Sequence, residues 1–436
     1  MVVWIQNPFD SLPSEGARKM RYWLMAEAFA RAGHRVTLWT SDFSHATKKR
    51  REFPATDFTD CHGLNDESAV EATGTTTGAS ETRGLTSLTT PTSLTSPTFE
   101  IRFIPTRPYR RNVSLARVAS HRAYAREWLR LAAAEGAREK PDLIVASIPT
   151  ISGASAAIAL GRRFGAKVVV DVMDAWPETF ERLVPRGIRG VPPLGRAAAL
   201  VFWPLRRAAR RVYRDADLVT GVSARYRDLT GRPDFYLAYH GIDLNFSATD
   251  FTDCHECRPP RVAVVPDVPH VASSPLRLVY AGNLGRTYDL ATVVAAVEAD
   301  PRLTLDVAGF GEFSSDCPRI RFHGLLSEPG LQALLASCDV GVVPMASDSW
   351  VGVPYKFCDY ARAGLKIVSS LGGETSALLA RYRCGATYRA GDAASFAAAL
   401  ETVASMPPGA SRRMCEEVFD AKTIYDGYVR RVLFQA

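Results

Sequence analysis

Short apolar runs recur along the chain, each leading through a turn into a longer stretch whose apolar positions repeat every three or four residues. The first run, VVWI at 2–5, ends in the loop NPFDSLPSEG. An amphipathic stretch from Ala17 to Ala32 follows, stopped by Gly33, and RVTLWT begins the next run. Strand, helix and strand at this spacing form a βαβ unit, which requires a parallel sheet. LIVAS (143–147), VVVDV (168–172) and DLVTGVS (217–223) continue the series, separated by Ala-, Arg- and Leu-rich stretches of helical character. Strands buried on both faces of a parallel sheet read as such unbroken apolar runs.

A second series starts at Leu276. LRLVYAG, LTLDVAG, IRFHG, DVGVVP and LKIVSS alternate with amphipathic stretches such as ATVVAAVEA and EPGLQALLASC. The α/β pattern therefore predicts two doubly wound, Rossmann-like domains in tandem, with the carboxyl ends of both sheets facing one cleft. The boundaries expected are 1–240, 241–415 and a final segment 416–436, in which DAKTIYDGYVRRVLF reads as a helix. Residues 54–98 and 247–275 break the pattern, being rich in Thr, Ser and Gly or in Pro and Cys. Both hold the octapeptide ATDFTDCH, at 55–62 and 248–255. Identical short matches with unrelated flanks suit passenger insertions in surface loops rather than a structural repeat.

Bulk properties narrow the possibilities. With 436 residues, 47% of them hydrophobic, the chain has material for two buried cores. Its net charge of +7 is concentrated in the first half, and the second half is mildly acidic, so the first half is suited to face something anionic. The eight cysteines form no disulfide framework, and the amino terminus lacks the charged and apolar regions of a signal peptide. A cytoplasmic location with reduced thiols is expected. The longest apolar stretch, AAALVFWPL at 197–205, is too short to span a bilayer, but it runs into Arg206, Arg207, Arg210, Arg211 and Arg214. Apolar residues beside dense arginine suit a peripheral contact with an anionic membrane surface. The arginines show no nucleic-acid reader motif, so no nucleic-acid partner is expected. Cys254, His255 and Cys257, with Cys61 and His62, lack the paired spacing of a zinc site, so no metal is expected.

Candidate chemistry gathers at strand ends. Gly16 precedes the first helix, where backbone N–H groups and the helix dipole attract anions, and Arg18 adds charge there. His34, in the tight AGHRV connection, is read as structural. Asp171 and Asp174 end the VVVDVMD strand, and Asp174 is the candidate to orient a sugar hydroxyl. Gly282, Asn283, Gly285 and Arg286 form a strand-to-helix turn suited to the charge that develops on a departing diphosphate. The densest constellation is MASDSWVGVPYKFCDYARAGLKIVSSLGGE (345–374). Tyr355 to Ala363 is expected to be helical, with Lys356 on its first turn and Asp359 three residues on, along the same face. A carboxylate there can accept two hydrogen bonds from a ribose diol. Gly373 and Glu374 open the next strand-end loop.

In the order SEGARKMRYWLMAEAFARAGHRVTLWTSDFSH, DVMDAWPE, YAGNLG, CDVGVVP and VPYKFCDYARAG, the chain resembles the family 4 glycosyltransferases of bacterial surface-polysaccharide synthesis. The resemblance implies the GT-B fold, a UDP- or GDP-sugar donor held by the second domain and a glycan or lipid-linked acceptor against the first. It also implies retention of configuration, no cofactor or required metal, and a final helix that crosses back to the first domain. Catalytic roles fall to Asp174, Arg286 and Lys356; donor binding to Gly282, Asn283, Gly285, Lys356, Asp359, Gly373 and Glu374; an acceptor or phosphate loop to Gly16 and Arg18. Two features depart from the family. Asp359 stands where the second of two glutamates is usual, and Val351 replaces the first, leaving Asp348 or Ser349 for the sugar. Asn283 and Tyr288 replace the usual Arg and Lys, so Arg286 and Lys356 are taken as their substitutes. A nucleotide-sugar epimerase of the same fold and a non-catalytic nucleotide-sugar-binding paralogue are the alternatives.

Overall fold

The computed structural model describes residues 1–51, 87–89, 99–111, 114–181, 192–244, 275–285 and 287–434. Nearly all of both insertions, with their octapeptides and the Cys/His group, and Arg286 lie outside the described residues.

The first sheet contains β1 (Val2–Gln6), β2 (Arg35–Ser41), β3 (Ser87–Thr89), β4 (Glu100–Ile104), β5 (Leu143–Ile148), β6 (Lys167–Val172), β7 (Leu218–Gly221) and β8 (Tyr236–Leu237). Their order is β3-β4-β2-β1-β5-β6-β7-β8, parallel throughout except where β3 pairs antiparallel with β4. Chain order reverses between β1 and β5, so the crevice beyond their carboxyl ends is the natural ligand position. The second sheet contains β9 (Leu276–Ala281), β10 (Leu303–Ala308), β11 (Ile320–Gly324), β12 (Val340–Val343), β13 (Lys366–Ser369) and β14 (Gly385–Thr387), all parallel, in the order β11-β10-β9-β12-β13-β14. Its reversal falls between β9 and β12.

Three local features differ from the sequence reading. The first helix covers Arg21–Arg31 rather than beginning at Ala17, because Pro13–Glu15 forms a separate 3-10 turn. Gly16 closes that turn at φ 72°, a left-handed conformation that glycine adopts without strain. Glu100–Ile104 is a strand that the pattern did not reveal, and Ser87–Thr89, inside the 54–98 segment read as a loop, forms an edge strand on it. Elsewhere local chemistry sets the boundaries. Thr150 caps the helix Ile151–Phe164 by accepting from the Gly153 N–H at 2.9 Å, and Gly165 ends it in the left-handed region.

Each sheet is covered on both faces. Trp4, Trp39, Trp128 and Tyr124 are buried on one face of the first sheet. On the other face the helix Arg21–Arg31 packs with the final helix Ala421–Phe434, burying Tyr425, Tyr428 and Val432 among residues of the first domain. At about 1.5–3 kcal/mol per buried apolar side chain, this packing is a main contribution that holds the final helix on the first domain. The linker is fixed there too: the Gly241 N–H donates to the Tyr425 hydroxyl at 3.1 Å, and Ile242 bridges Asp420. A Cβ on Gly241 would stand 2.8 Å from the Ala421 Cα, so this approach requires glycine.

A buried polar knot lies beneath. Arg21 donates from Nε and Nη2 to the two Asp171 oxygens, each at 2.8 Å, and from Nη1 to the carbonyls of Ala238 and Tyr239 at 3.0 and 2.9 Å. The Tyr22 and Thr220 hydroxyls also donate to Asp171, at 2.8 and 2.7 Å. Burial acts to raise the Asp171 pKa, but the Arg21 charge and these hydrogen bonds hold it below the usual carboxylate range.

Candidate functional site

The cleft of the second domain is built from two strand ends and one helix start. Pro354 sets the entry of the helix Tyr355–Ala363, and Gly364 ends it at φ 79°. This orientation sends Lys356 and Asp359, both buried, into a cleft of about 390 Å³. Gly282 and Asn283, beyond β9, and Gly309, beyond β10, form its floor; Phe310, Leu325 and Leu326 form an apolar wall. Phe310 and Leu325 are 53% and 75% exposed, so this wall is open to contact with a ligand. Gly309 has φ 142°, and a Cβ there would lie 1.8 Å from the Gly282 carbonyl oxygen. The sequence reading did not single out Gly309, although AGFG directly after a strand was a visible signal.

Lys356 is the electrostatic centre. Its Nζ donates to the Tyr280 hydroxyl at 3.0 Å and lies 4.1 Å from the ring centroids of both Tyr280 and Tyr288. Burial lowers its pKa to about 7, against a smaller raising effect from Asp359. A cation held by aromatic faces, with little counter-charge, is prepared to receive an anion. Gly282 leaves room for it, since a Cβ at that position would be 2.7 Å from Nζ.

Asp359 is not exposed to the cleft alone. It forms an ion pair with Arg18 from the first domain, whose guanidinium stacks over the Tyr355 ring at 4.9 Å. Burial works against the Arg18 charge, but Asp359 and Glu328 hold its pKa above the ordinary guanidinium value. Arg18, read from the sequence as part of an acceptor or phosphate loop, thus meets the candidate ribose ligand directly. Tyr355 also bridges the domains: its hydroxyl accepts from the Arg21 N–H at 3.2 Å, and its ring stacks on His240 at 3.8 Å.

The remaining candidates are more dispersed. Glu374, with Gly373 at its helix start, reaches the first domain: it accepts from the Ser223 hydroxyl at 2.5 Å, the Ala224 N–H at 2.8 Å and the Tyr239 hydroxyl at 3.0 Å. In this arrangement its carboxylate joins the domains. The Ser349 carbonyl accepts from Arg225 at 2.9 Å, another contact across the interface. Gly285 is not among the residues lining the cleft, and Gly16 serves the 3-10 turn. Asp174 accepts from Thr179 Oγ1 at 3.0 Å and Trp176 Nε1 at 3.2 Å within its own loop, and burial raises its pKa. Of the two carboxylates in DVMD, Asp171 is the buried structural one. Among the described residues, no group of His, Cys, Asp and Glu could hold a metal ion.

Two parallel-sheet domains meeting across such a cleft define the GT-B class. A model for a glycosyl transferase 4-like domain matches residues 20–235, and one for glycosyl transferases group 1 matches residues 275–405. The chain belongs to the GT-B family 4 glycosyltransferases. Solved structures share the fold over the whole chain. A sucrose-phosphate synthase from Thermosynechococcus elongatus has a TM-score of 0.63 at 15% identity, covering 100% of this chain and 99% of its own. The Anabaena protein HepE in complex with UDP-glucose has a TM-score of 0.57 at 13% identity, with 100% of both chains covered. The lipopolysaccharide outer core galactosyltransferase WaaB, in its apo form, has a TM-score of 0.55 at 10% identity, covering 100% and 99%. Among curated proteins, none matches the chain.

Proposed function

We propose that this glycosyltransferase moves a hexosyl or N-acetylhexosaminyl group from a UDP- or GDP-sugar to a glycan or lipid-linked acceptor of the cell surface, with retention of configuration. The observation that carries this reading is the placement of Lys356 and Asp359 in one cleft, beside two close-packed glycines and an apolar wall. A nucleobase covers Phe310 and Leu325, the ribose diol takes Asp359, and the diphosphate lies toward Lys356 and the Gly282–Asn283 turn. Asp359 exchanges Arg18 for the ribose or shares itself between them. The sequence position of Arg286 supports a part for it at the same phosphates. The domains that divide this work are taken as 1–240 and 241–415, with 416–436 returning to the first. HepE solved with UDP-glucose makes a UDP-sugar the first donor to test.

Retention follows from attack on the face that the diphosphate leaves, with the departing oxygen assisting transfer of the acceptor proton. Developing charge on that oxygen is what Lys356 stabilises, and a preorganised cation inside a cleft is more effective than one in water. An epimerase would place acid and base side chains at the sugar carbon. Here Glu374 is engaged by Ser223, Ala224 and Tyr239, which favours transfer.

Asp359→Ala should weaken UDP-sugar binding by about 1–3 kcal/mol, the cost of lost charge-assisted hydrogen bonds. Titration calorimetry on the folded variant checks this, and unchanged affinity removes the ribose role.

We place the enzyme in the cytoplasm, peripheral to the membrane. No helix among the described residues is long and apolar enough to cross one. The helix Pro192–Asp215 supports a surface contact: Trp203 is 55% exposed under the Arg207 guanidinium, while Ala209, Val212 and Tyr213 pack inward. Arg206 and Arg214 are near Glu178 and Asp215, at 3.8 and 2.8 Å. Arg207, Arg210 and Arg211 each contribute about 1 kcal/mol at an anionic surface. Sedimentation with vesicles should rise with anionic lipid content and fall with salt. Binding that survives replacement of all three by Gln would refute the electrostatic contact.

A further inference from the structure

Behind the donor cleft stands a side chain that does not meet the solvent. Tyr280, in β9, is fully buried and is not among the residues that line the cleft. Its hydroxyl nevertheless touches two groups that do. It accepts from Lys356 Nζ at 3.0 Å and donates to the Asn283 carbonyl at 2.5 Å. A phenol has a single proton to give. With that proton on the Asn283 carbonyl, the oxygen acts toward Lys356 as an acceptor, so a directed chain runs from the lysine through the phenol to the turn. Burial, then Tyr288 and Tyr360, raise the Tyr280 pKa above the ordinary phenol value, which keeps the proton in place.

The surrounding packing fixes this geometry. The Tyr288 ring meets the Tyr280 ring edge-on with centroids 5.7 Å apart, and both rings hold Lys356 Nζ at 4.1 Å. One residue on, the Ala281 N–H donates to the Tyr360 hydroxyl at 2.8 Å. Tyr360 and Lys356 belong to the same helix, so the end of β9 is fastened to it at successive residues. Beyond them the Gly282 and Leu284 N–H groups donate to the carbonyls of Ala308 and Phe310, at 2.8 and 2.9 Å. The Asn283 carbonyl is thereby held on a hydroxyl that lies behind the cleft. A carbonyl oxygen aimed at a diphosphate would repel it, so this engagement favours an anion at the turn.

We propose that Tyr280 is a positioning residue for the transfer: its hydroxyl sets where Lys356 stands and which way the Gly282–Asn283 turn faces, and so joins the side-chain and backbone parts of the diphosphate site. The proposal rests on the reading of Lys356 as the partner of the donor diphosphate. Tyr280→Phe keeps the ring and nearly all of the volume, so it removes the work of the hydroxyl. The titratable groups that face Lys356 are Tyr280 in β9, Tyr288 in the segment that follows, and Asp359 on its own helix, itself paired with Arg18 of the first domain. A hydrogen-bond acceptor at Nζ favours the charged amine, so losing the Tyr280 oxygen must lower the Lys356 pKa below its value of about 7.

The probes are UDP and GDP, titrated calorimetrically into the full chain from about pH 7 to 10, in pairs of buffers of different ionisation enthalpy. At pH 7 the wild type should take up about half a proton on binding, since its lysine is about half protonated beforehand. Tyr280→Phe should take up closer to a whole proton, bind about tenfold more weakly, and lose affinity on the alkaline side about one pH unit earlier. The ionisation of the nucleotide itself is common to both proteins and cancels in the comparison. A part in folding alone would lower the binding-competent fraction, or the affinity at every pH alike, and would move neither the uptake nor the alkaline limb. Should Tyr280→Phe misfold, Tyr280→meta-fluorotyrosine makes the oxygen a poorer acceptor at almost unchanged size, and it should shift the limb the same way by a smaller amount. Wild-type uptake and an unmoved limb in either folded variant would overturn the role of Tyr280 and leave Lys356 at the diphosphate. No proton uptake by the wild type, with unchanged nucleotide affinity in Lys356→Met, defeats the donor reading of Lys356 and this proposal with it.

Discussion

Lys356→Met is expected to lower turnover by about 10²-fold or more while raising thermal stability. The two effects have one cause. Burial against Tyr280 and Tyr288 brings the Lys356 pKa to about 7, below its ordinary value of 10.5. Between those limits the unfolded chain holds a proton that the folded chain has released, so stability rises with pH across the window from about 7 to 10.5. At neutral pH the folded state therefore bears a penalty that methionine, similar in length and apolar, removes. The expected gain is on the order of 4 kcal/mol, a site held ready for an anion at the expense of stability. Urea unfolding at pH 7 and pH 10 should show the wild-type slope and its loss in the variant. A diphosphate bound beside Lys356 favours its charged form, so donor binding near pH 8 should take up protons, and affinity should fall as pH rises further. Calorimetry in two buffers of different ionisation enthalpy measures that uptake. Normal turnover by Lys356→Met would place leaving-group stabilisation on another group.

Asp171→Ala is expected to destabilise the first domain by about 3–5 kcal/mol, a large part of the stability of a typical domain. The loss comes less from the missing attraction than from what remains: a fully buried Arg21 guanidinium with two of its donors unmatched. The pair Arg21→Met with Asp171→Leu should recover only part of it. Apolar replacement removes the stranded charge, but it also strips the Ala238 and Tyr239 carbonyls of their donor. Those carbonyls belong to the linker, so the double variant should also lose rigidity between the domains. Urea midpoints with unchanged m-values check the energies. A cost under about 1 kcal/mol for Asp171→Ala would show that water enters and solvates Arg21.

The apolar runs specified most strands of the two sheets, because a strand buried on both faces has no polar side to show. VVWI, LIVAS and VVVDV in the first domain lie within strands, DVGVVP in the second contains β12, and IRFHG forms the mostly exposed edge strand β11. The helix Tyr355–Ala363 was legible to the residue, since Pro354 and Gly364 mark its ends in local chemistry. Lys356 and Asp359 followed from its three-residue spacing. The short strands β3 and β8 were not legible, since two or three residues carry no periodicity and depend on a neighbour to pair with, and β4 was missed because Glu100 and Arg102 interrupt its apolar run.

Pairings across the chain belong to the tertiary structure. Nothing near Asp359 in sequence announces Arg18, which reaches it over 341 positions. Asp171 and Asp174 look alike in DVMD, yet one meets Arg21, Tyr22 and Thr220 in the core while the other closes its own loop on Thr179. Glu374 reads in the sequence as part of a strand-end loop suited to a sugar, but it begins a helix, and Ser223, Ala224 and Tyr239 hold it at the interface. The cluster of Lys48, Tyr109 and Arg117 is of the same kind, since these residues come together only once β2, β4 and the helix Leu115–Arg138 are assembled. Periodicity is a local property that sequence spacing encodes directly. The partner of a charge is set by how distant elements pack, and burial then decides whether that charge stabilises the fold or is left able to act.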